Sequence, residues 1–245
     1  MIRQSFLKFI FIGVVTTLFS FCVNSKPALQ KVVLPVSEGW PPYFFRNNNG
    51  FYEGTDISLL SSVLTKMDYS LEFKEDIPIR RLTKYNKGLG FNANVSATFT
   101  EERALTYHYS IPYRVENIAV FYINLEFNKF ASLEDLIVGS KIGTINLAGY
   151  YGKEFEILKS KYKQKLIHSE TATRRIKLLM AGRVDYVIGD VKNMEFLLEK
   201  NNVTGVRQSS FFVNQQEVSM IFLKTEFDSK FMNNFNKLLK QKLSS

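Results

Sequence analysis

The chain has 245 residues and is poor in the residue types that most often carry chemistry. It has one cysteine, Cys22, and one tryptophan, Trp40. Its two histidines, His108 and His168, lie far apart and away from any acid cluster. A single cysteine excludes an internal disulfide. The isolated histidines exclude a recognisable metal motif, because zinc and related sites need several ligands at close spacing. Acids are outnumbered, with 23 Asp and Glu against 32 Lys and Arg, for a formal net charge of +9. No arginine-rich tract is interleaved with aromatics, and the lysines are scattered, as in the run Lys159, Lys161, Lys163 and Lys165. The basic excess therefore reads as a solvated face rather than a nucleic-acid surface. Internal repeats, low-complexity tracts and obvious linkers are absent.

Long apolar runs are scarce too. The one at the N-terminus, FIFIGVVTTLFSFC (9–22), follows MIRQSFLK, which holds Arg3 and Lys8 and no acid. It has the length of a signal-peptide core and falls short of a membrane span. Val23 and Ser25 stand three and one residues before a cleavage point at Lys26. Residues 1–25 read as a secretory signal; the alternative is a retained anchor. Cys22 would suit a lipidated N-terminus, but Phe21 stands where a small residue is required.

With 45% apolar residues, the remainder can bury one large core or two small ones. The pattern alternates strands with helices. KVVLPV (31–36) reads as a strand, and Ile57, Leu60, Leu64 and Met67 mark a helix. SLEFKE (70–75) is a strand, Pro78 opens a helical stretch to Tyr85, and FNANVSA (91–97) alternates again. NIAVFYI (117–123) is a long apolar strand. Ser132 and Asp135 suit a helix start. VGSKIGT (138–144) and VDYVIG (184–189) read as strands flanking a helix from Ala172 that stops at Gly182. DVKNMEFLLEK opens a further helix, VSMIFL (218–223) is a strand, and Phe227, Phe231, Phe235, Leu238 and Leu239 form the apolar stripe of a last helix. Strand–helix repetition of this kind is an α/β layer fold. Two lobes are expected, 26–116 with 218–245 and 117–217, with the two apolar strands as the crossings.

Ligand sites in such sheets lie at carboxyl ends of strands and between domains. The first strand leads to Glu38 and Trp40, and the third to Ser96, Thr98 and Arg103. In the second lobe the strand ends hold Thr144 and Asp190. An arginine beside hydroxyls can hold a carboxylate through paired hydrogen bonds. A buried aspartate can accept from an ammonium, and an aromatic face can cover an apolar or cationic group. The set suits a small zwitterion.

The stretches GWPPYFF with GTDISLL, SATFTEERALTYHYSIPY, VGSKIGTIN and AGRVDYVIGD resemble, in order and spacing, the family 3 solute-binding proteins of bacterial polar amino acid uptake. The resemblance implies the type II periplasmic binding protein fold, with two α/β lobes, two hinge crossings and a ligand cleft. It implies a periplasmic monomer that binds an amino acid or derivative and presents it to an ABC permease or a sensor kinase. No cofactor, metal or nucleic acid is implied. Arg103 matches the arginine for the ligand α-carboxylate, Ser96 and Thr98 the polar positions beside it, and Thr144 the first threonine of the second-lobe loop. Asp190 matches the acid for the α-ammonium, Trp40 the aromatic over the side chain, and Arg81 a proline-led arginine seen in a subset. Two positions depart from the pattern. Ile145 stands where a second hydroxyl residue is usual, and Phe91–Asn92 where an aspartate is usual.

Each of these residues also has a structural reading. Thr100 can cap a helix that leaves Arg103 solvated, although an arginine in a first turn opposes the helix dipole. Asp190 can be an N-cap, Thr144 a turn residue, Trp40 core, and Glu38 solvated. The rival function is an enzyme on the same fold, resembling secreted cyclohexadienyl dehydratases, for which Glu38 and Glu195 are the acids to consider as proton donors. A ligand-less interaction module is a third reading.

Overall fold

The computed structural model describes residues 30–36, 39–75, 77, 90–124, 126, 130–139, 142–146 and 149–244. The expected signal segment, Glu38, and the helix expected at 78–85 with Arg81 lie outside the described residues.

Strand β1 (Gln30–Pro35) pairs in parallel with β4 (Tyr69–Lys74), Leu34 facing Phe73 in register. A parallel pair needs a crossover, and helix α1 (Thr55–Thr65) supplies it, burying Ile57, Leu60, Val63 and Leu64. Short strands β2 (Phe45–Arg46) and β3 (Tyr52–Glu53) precede α1. Strand β5 (Ala93–Thr98) buries Ala93, Val95 and Ala97, the face its alternation implies. Then come α2 (Glu101–Thr106), β6 (Tyr107–Tyr109) and the long β7 (Arg114–Tyr122).

The chain continues through α3 (Leu133–Gly139), β8 (Gly143–Asn146), α4 (Lys153–Lys161), β9 (Leu166–Ser169), α5 (Ala172–Met180), β10 (Tyr186–Asp190) and α6 (Val191–Lys200). It returns through β11 (Arg207–Leu223) and ends in α7 (Ser229–Leu243). One sheet runs β5-β11-β7-β10-β8-β9, with β6 also on β11.

Apolar packing separates into bodies at either end of this sheet. The first joins Leu34, Leu60, Val95 and Phe222 to Phe231 and Phe235 of α7. On the other side, Val120, Ile137, Ile145 and Ile188 pack with Phe155. Ile176, Val187 and Met194 pack with Leu197 on the same side. Between these bodies run β11, with Met220 and Phe222 in the first and Val213 against the second, and β7, which starts beside Tyr113 at the first and enters the others from Ile118. Residues 114–117 of β7 pair solely with 215–218 of β11; from Ile118 onward β7 pairs with β10 as well as β11, and from Val218 onward β11 pairs with β5.

The sequence pattern misplaces two elements. The segment expected as a strand at 138–144 starts as helix: Val138 and Gly139 close α3, and the strand begins at Gly143. The Ser132 hydroxyl accepts from the Asp135 N–H at 3.1 Å, and Leu136 and Ile137 are buried, so the helical period prevails there. The strand expected at 218–223 extends back to Arg207. That earlier half is largely solvent-facing, so it lacks the apolar run that reveals a buried strand.

Asn92, one of the departures from the family pattern, is a stitch between β1 and β5. Its Oδ1 accepts from the Val33 N–H at 2.7 Å, and its Nδ2 donates to the Lys31 carbonyl at 3.0 Å and to Glu226 Oε2 at 2.7 Å. An aspartate could not donate, and would face Glu226 with like charge. Asn92→Asp and Asn92→Ala are each expected to lower stability by about 1–3 kcal/mol in urea unfolding, with the aspartate variant recovering toward acid pH.

Candidate functional site

The site is built on a loop, two strand ends and the crossing strands. The Trp40–Phe45 loop is fixed onto the start of α1: the Thr55 N–H donates to the Pro42 carbonyl at 3.1 Å, and the Asp56 N–H to the Tyr43 carbonyl at 3.0 Å. Gly54, at φ 130°, permits this approach, since a Cβ there would come within 2.2 Å of the Tyr43 carbonyl oxygen. Asp56 thereby enters the first turn of α1 fully buried, where the helix dipole favours its charge.

Arg114 at the head of β7 meets Asp56. Its Nε lies 3.1 Å from Asp56 Oδ1 and its Nη2 3.3 Å from Oδ2, and Nη2 also reaches Glu116 at 3.0 Å and Ser96 Oγ at 2.7 Å. The Ser96 hydroxyl donates to Asp56 at 2.6 Å, and the Tyr113 hydroxyl donates to the same oxygen. Ser96 sits at φ 55°, which turns the strand end toward this cluster. The Tyr43 ring lies over the guanidinium, 3.5 Å from centroid to carbon, and its hydroxyl donates to Asp190 Oδ1 at 3.1 Å. Tyr43 thus bridges the two lobes. Asn193 adds a second bridge, Nδ2 to the Pro41 carbonyl at 2.5 Å, and Phe45 packs on Phe196.

Beside this cluster is a cavity of about 130 Å³. Trp40, Ser96, Thr98 and Arg103 line it from one lobe, Asn146 and Gly149–Tyr151 from the other, and Glu116, Ile118 and Gln216 from the crossing strands. Thr100 does cap α2, accepting from the Arg103 N–H at 3.2 Å, yet the Arg103 side chain is half-buried and turned to the cavity wall. Its Nη1 donates to the Thr98 carbonyl at 2.8 Å, which fixes the plane of the guanidinium. The turn that caps the helix is the same turn that aims the arginine.

Not every residue expected here meets the cavity. Thr144 is fully buried and its hydroxyl donates to the Ile167 carbonyl at 2.9 Å, away from the cavity; Asn146, two residues on, is the liner. Asp190 is buried behind Tyr43 and caps α6 through the Asn193 N–H at 2.8 Å. Glu195, weighed as a proton donor, is exposed and paired with Lys192 at 3.0 Å.

Sequence reasoning missed Asp56, Arg114 and Glu116. The available signal was RVEN, where opposite charges at 114 and 116 share one strand face immediately before an apolar run. Burial pushes the Glu116 carboxyl from its usual 4.5 up to about 7, despite the opposing pull of Arg114. Burial also raises Asp190, against the Asn193 N–H and Tyr43 hydroxyl that favour its charge. For Arg114, burial opposes the charge, but Asp56 and Glu116 outweigh it and hold the guanidinium protonated.

Residues 32–129 match the family model of bacterial extracellular solute-binding proteins, family 3. Comparison with curated protein sequences finds no match. Among solved structures, holo ArgBP from T. maritima is 21% identical, with TM-score 0.69, covering 86% of this chain and 90% of that one. A histidine kinase sensor domain similar to periplasmic binding proteins is also 21% identical, with TM-score 0.71, covering 86% and 89%. The ancestral amino acid-binding protein AncCDT-1, a precursor of cyclohexadienyl dehydratase, is 19% identical, with TM-score 0.70, covering 88% and 90%. At such identities these likenesses establish the fold, which is that of type II periplasmic binding proteins. No helix among the described residues is long and apolar enough to cross a membrane.

The raised Glu116 pKa has a sign that can be checked. Below about pH 4.5 the group is protonated both folded and unfolded; from there to about pH 7 the folded state alone holds the proton. Its contribution to stability is therefore full in acid and is lost as pH rises through about 7. The wild-type melting temperature is expected to fall more between pH 5 and 8 than that of Glu116→Gln, as read by calorimetry.

Proposed function

We propose that this chain is a family 3 solute-binding protein, a periplasmic receptor for a small zwitterion of the amino acid class. The lobes would be 26–116 with 218–245 and 117–217, pivoting where residues 115–117 of β7 and 215–217 of β11 pair only with each other. The observation that carries the reading is Arg103, half-buried at the wall of a cavity between the lobes, with its guanidinium plane fixed by the Thr98 carbonyl. A guanidinium so held is prepared for a carboxylate. Ser96 and Thr98 lie beside it, and the Trp40 Nε1–H, buried and without a partner among the described residues, offers a further donor. Closure would bring Asn146 and Tyr150 onto a molecule already seated on Arg103. The closed form would engage a membrane partner, either an ABC permease or a sensor kinase.

The screen is a thermal-shift titration of the full chain against amino acids, opines and small carboxylates, since a molecule binding only the folded state raises the melting temperature. Arg103→Ala is expected to weaken the responding ligand by roughly 2–5 kcal/mol in calorimetry. Unchanged affinity would refute the role of Arg103.

A second reading is supported by Glu116, a buried acid at the cavity with a pKa of about 7, which is the property a general acid needs. On that reading the chain would turn over a cyclohexadienyl acid. Incubation with arogenate or prephenate is expected to leave both unchanged; their consumption, lost in Glu116→Gln, would establish the enzyme instead.

A further inference from the structure

Glu116 and Arg103 are the only charged side chains among the described residues that line the cavity beside the Arg114 cluster. We infer that the cationic group of the bound zwitterion is received by Glu116, on the strand that joins the lobes, rather than by Asp190. This rests on reading the cavity as the zwitterion site.

Three observations support the assignment. The first is access. Asp190 is buried outside the cavity lining; its Oδ1 accepts from the Tyr43 hydroxyl and the Asn193 N–H, and its Oδ2, although without a hydrogen-bond partner among the described residues, does not border the cavity. Tyr43 stands between Asp190 and Arg114, with its ring against the guanidinium. Glu116 is also buried from bulk water but borders the cavity itself.

The second is charge. Arg114 gives Asp56 two contacts and Glu116 one. The other partner of Glu116 is neutral Gln216, at a long 3.3 Å. An ionised carboxylate can accept about four hydrogen bonds, so Glu116 keeps acceptor capacity. Within the cavity lining itself Glu116 is the one carboxylate among the described residues, and a buried carboxylate with spare acceptor capacity is satisfied by a proton or by a ligand cation.

The third is placement. Glu116 lies in the stretch 114–117, where β7 pairs only with β11. A group at the pivot keeps its position whether the lobes are open or closed. Arg103 on one lobe and Glu116 on the pivot would seat a zwitterion before closure, leaving the second lobe to cover it.

The inference predicts proton release. The charged and titratable groups around Glu116 are Arg114 on its own strand, Asp56 on α1, Arg103 on α2, Asp190 at the end of β10, Tyr43 in the aromatic loop, Tyr113 before β7, Tyr150 and Tyr151 before α4, and, beyond Tyr151, the buried Arg175 of α5. With its proton held up to about pH 7, Glu116 must lose it to accept a cation. Affinity should fall toward about tenfold for each pH unit below about 7.

The test uses the full chain, screened against the twenty L-amino acids. Each one that raises the melting temperature is then compared with the carboxylic acid lacking its α-amino group. Glu116→Gln is expected to weaken the amino acid roughly 30-fold or more while barely changing the des-amino acid, and to abolish the pH dependence between pH 6 and 8. Asp190→Asn is expected to retain both the preference and the pH dependence. Calorimetry of the wild type in two buffers of different ionisation enthalpy, near pH 6.5, is expected to show proton release, and this holds even where the Gln variant folds poorly. If the wild type binds but releases no proton, or if Asp190→Asn alone removes the preference for the amine, Glu116 is not the receptor and the zwitterion reading stands. If no amino acid binds the wild type, both readings fall.

Discussion

Arg114 is the interaction on which the site depends. A guanidinium removed from water needs its charge compensated, and here Asp56 from α1 and Glu116 from β7 supply the charge and, with the Ser96 hydroxyl from β5, the acceptors for Nε and Nη2, while Nη1 has no hydrogen-bond partner among the described residues. Each partner comes from a different element, so the ion cluster fixes the start of α1, the end of β5 and the head of β7 relative to one another. The Tyr43 ring completes the enclosure from the aromatic loop. Removing any carboxylate here would leave a buried charge short of a partner, which is why the cluster acts as a rigid base for the cavity beside it.

From that base the geometry extends outward in two directions. Through Tyr43 it reaches Asp190 and the start of α6, tying the aromatic loop of one lobe to a helix terminus of the other. Through Glu116 it reaches the cavity and the pivot strands. The cluster therefore couples the contact between lobes to the group proposed to read the ligand's cation. A change in the charge of Glu116 is felt by Arg114, and so by Tyr43 and the bridge to Asp190.

Much of the fold was legible because it follows from periodicity. The alternation of FNANVSA and the helical stripe of Phe231, Phe235 and Leu239 are local consequences of burying one face. Arg103 was legible for a related reason: a strand ending in hydroxyls and turning into a capped helix places the next side chains at the mouth of a sheet. The solvent-facing half of β11 was not legible, because a strand held by backbone pairing to β7 needs no apolar run of its own. Glu116 and Arg114 escaped because charged residues near a strand start ordinarily face water; only the arrival of Asp56, distant in sequence, makes their burial tolerable.

The sequence by itself determined the α/β layering, the helix caps at Ser132, Thr100 and Asp190, and the arginine at the end of the third strand, because these depend on neighbours a few residues away. Tertiary structure alone decided which polar groups meet. It placed Thr144 against β9 and Asn146 at the cavity, turned Asp190 toward Tyr43, and gave Asn92 its place between two strands and Glu226. Hydrogen bonds and ion pairs act over a few ångströms in space, and residues that close can be far apart along the chain.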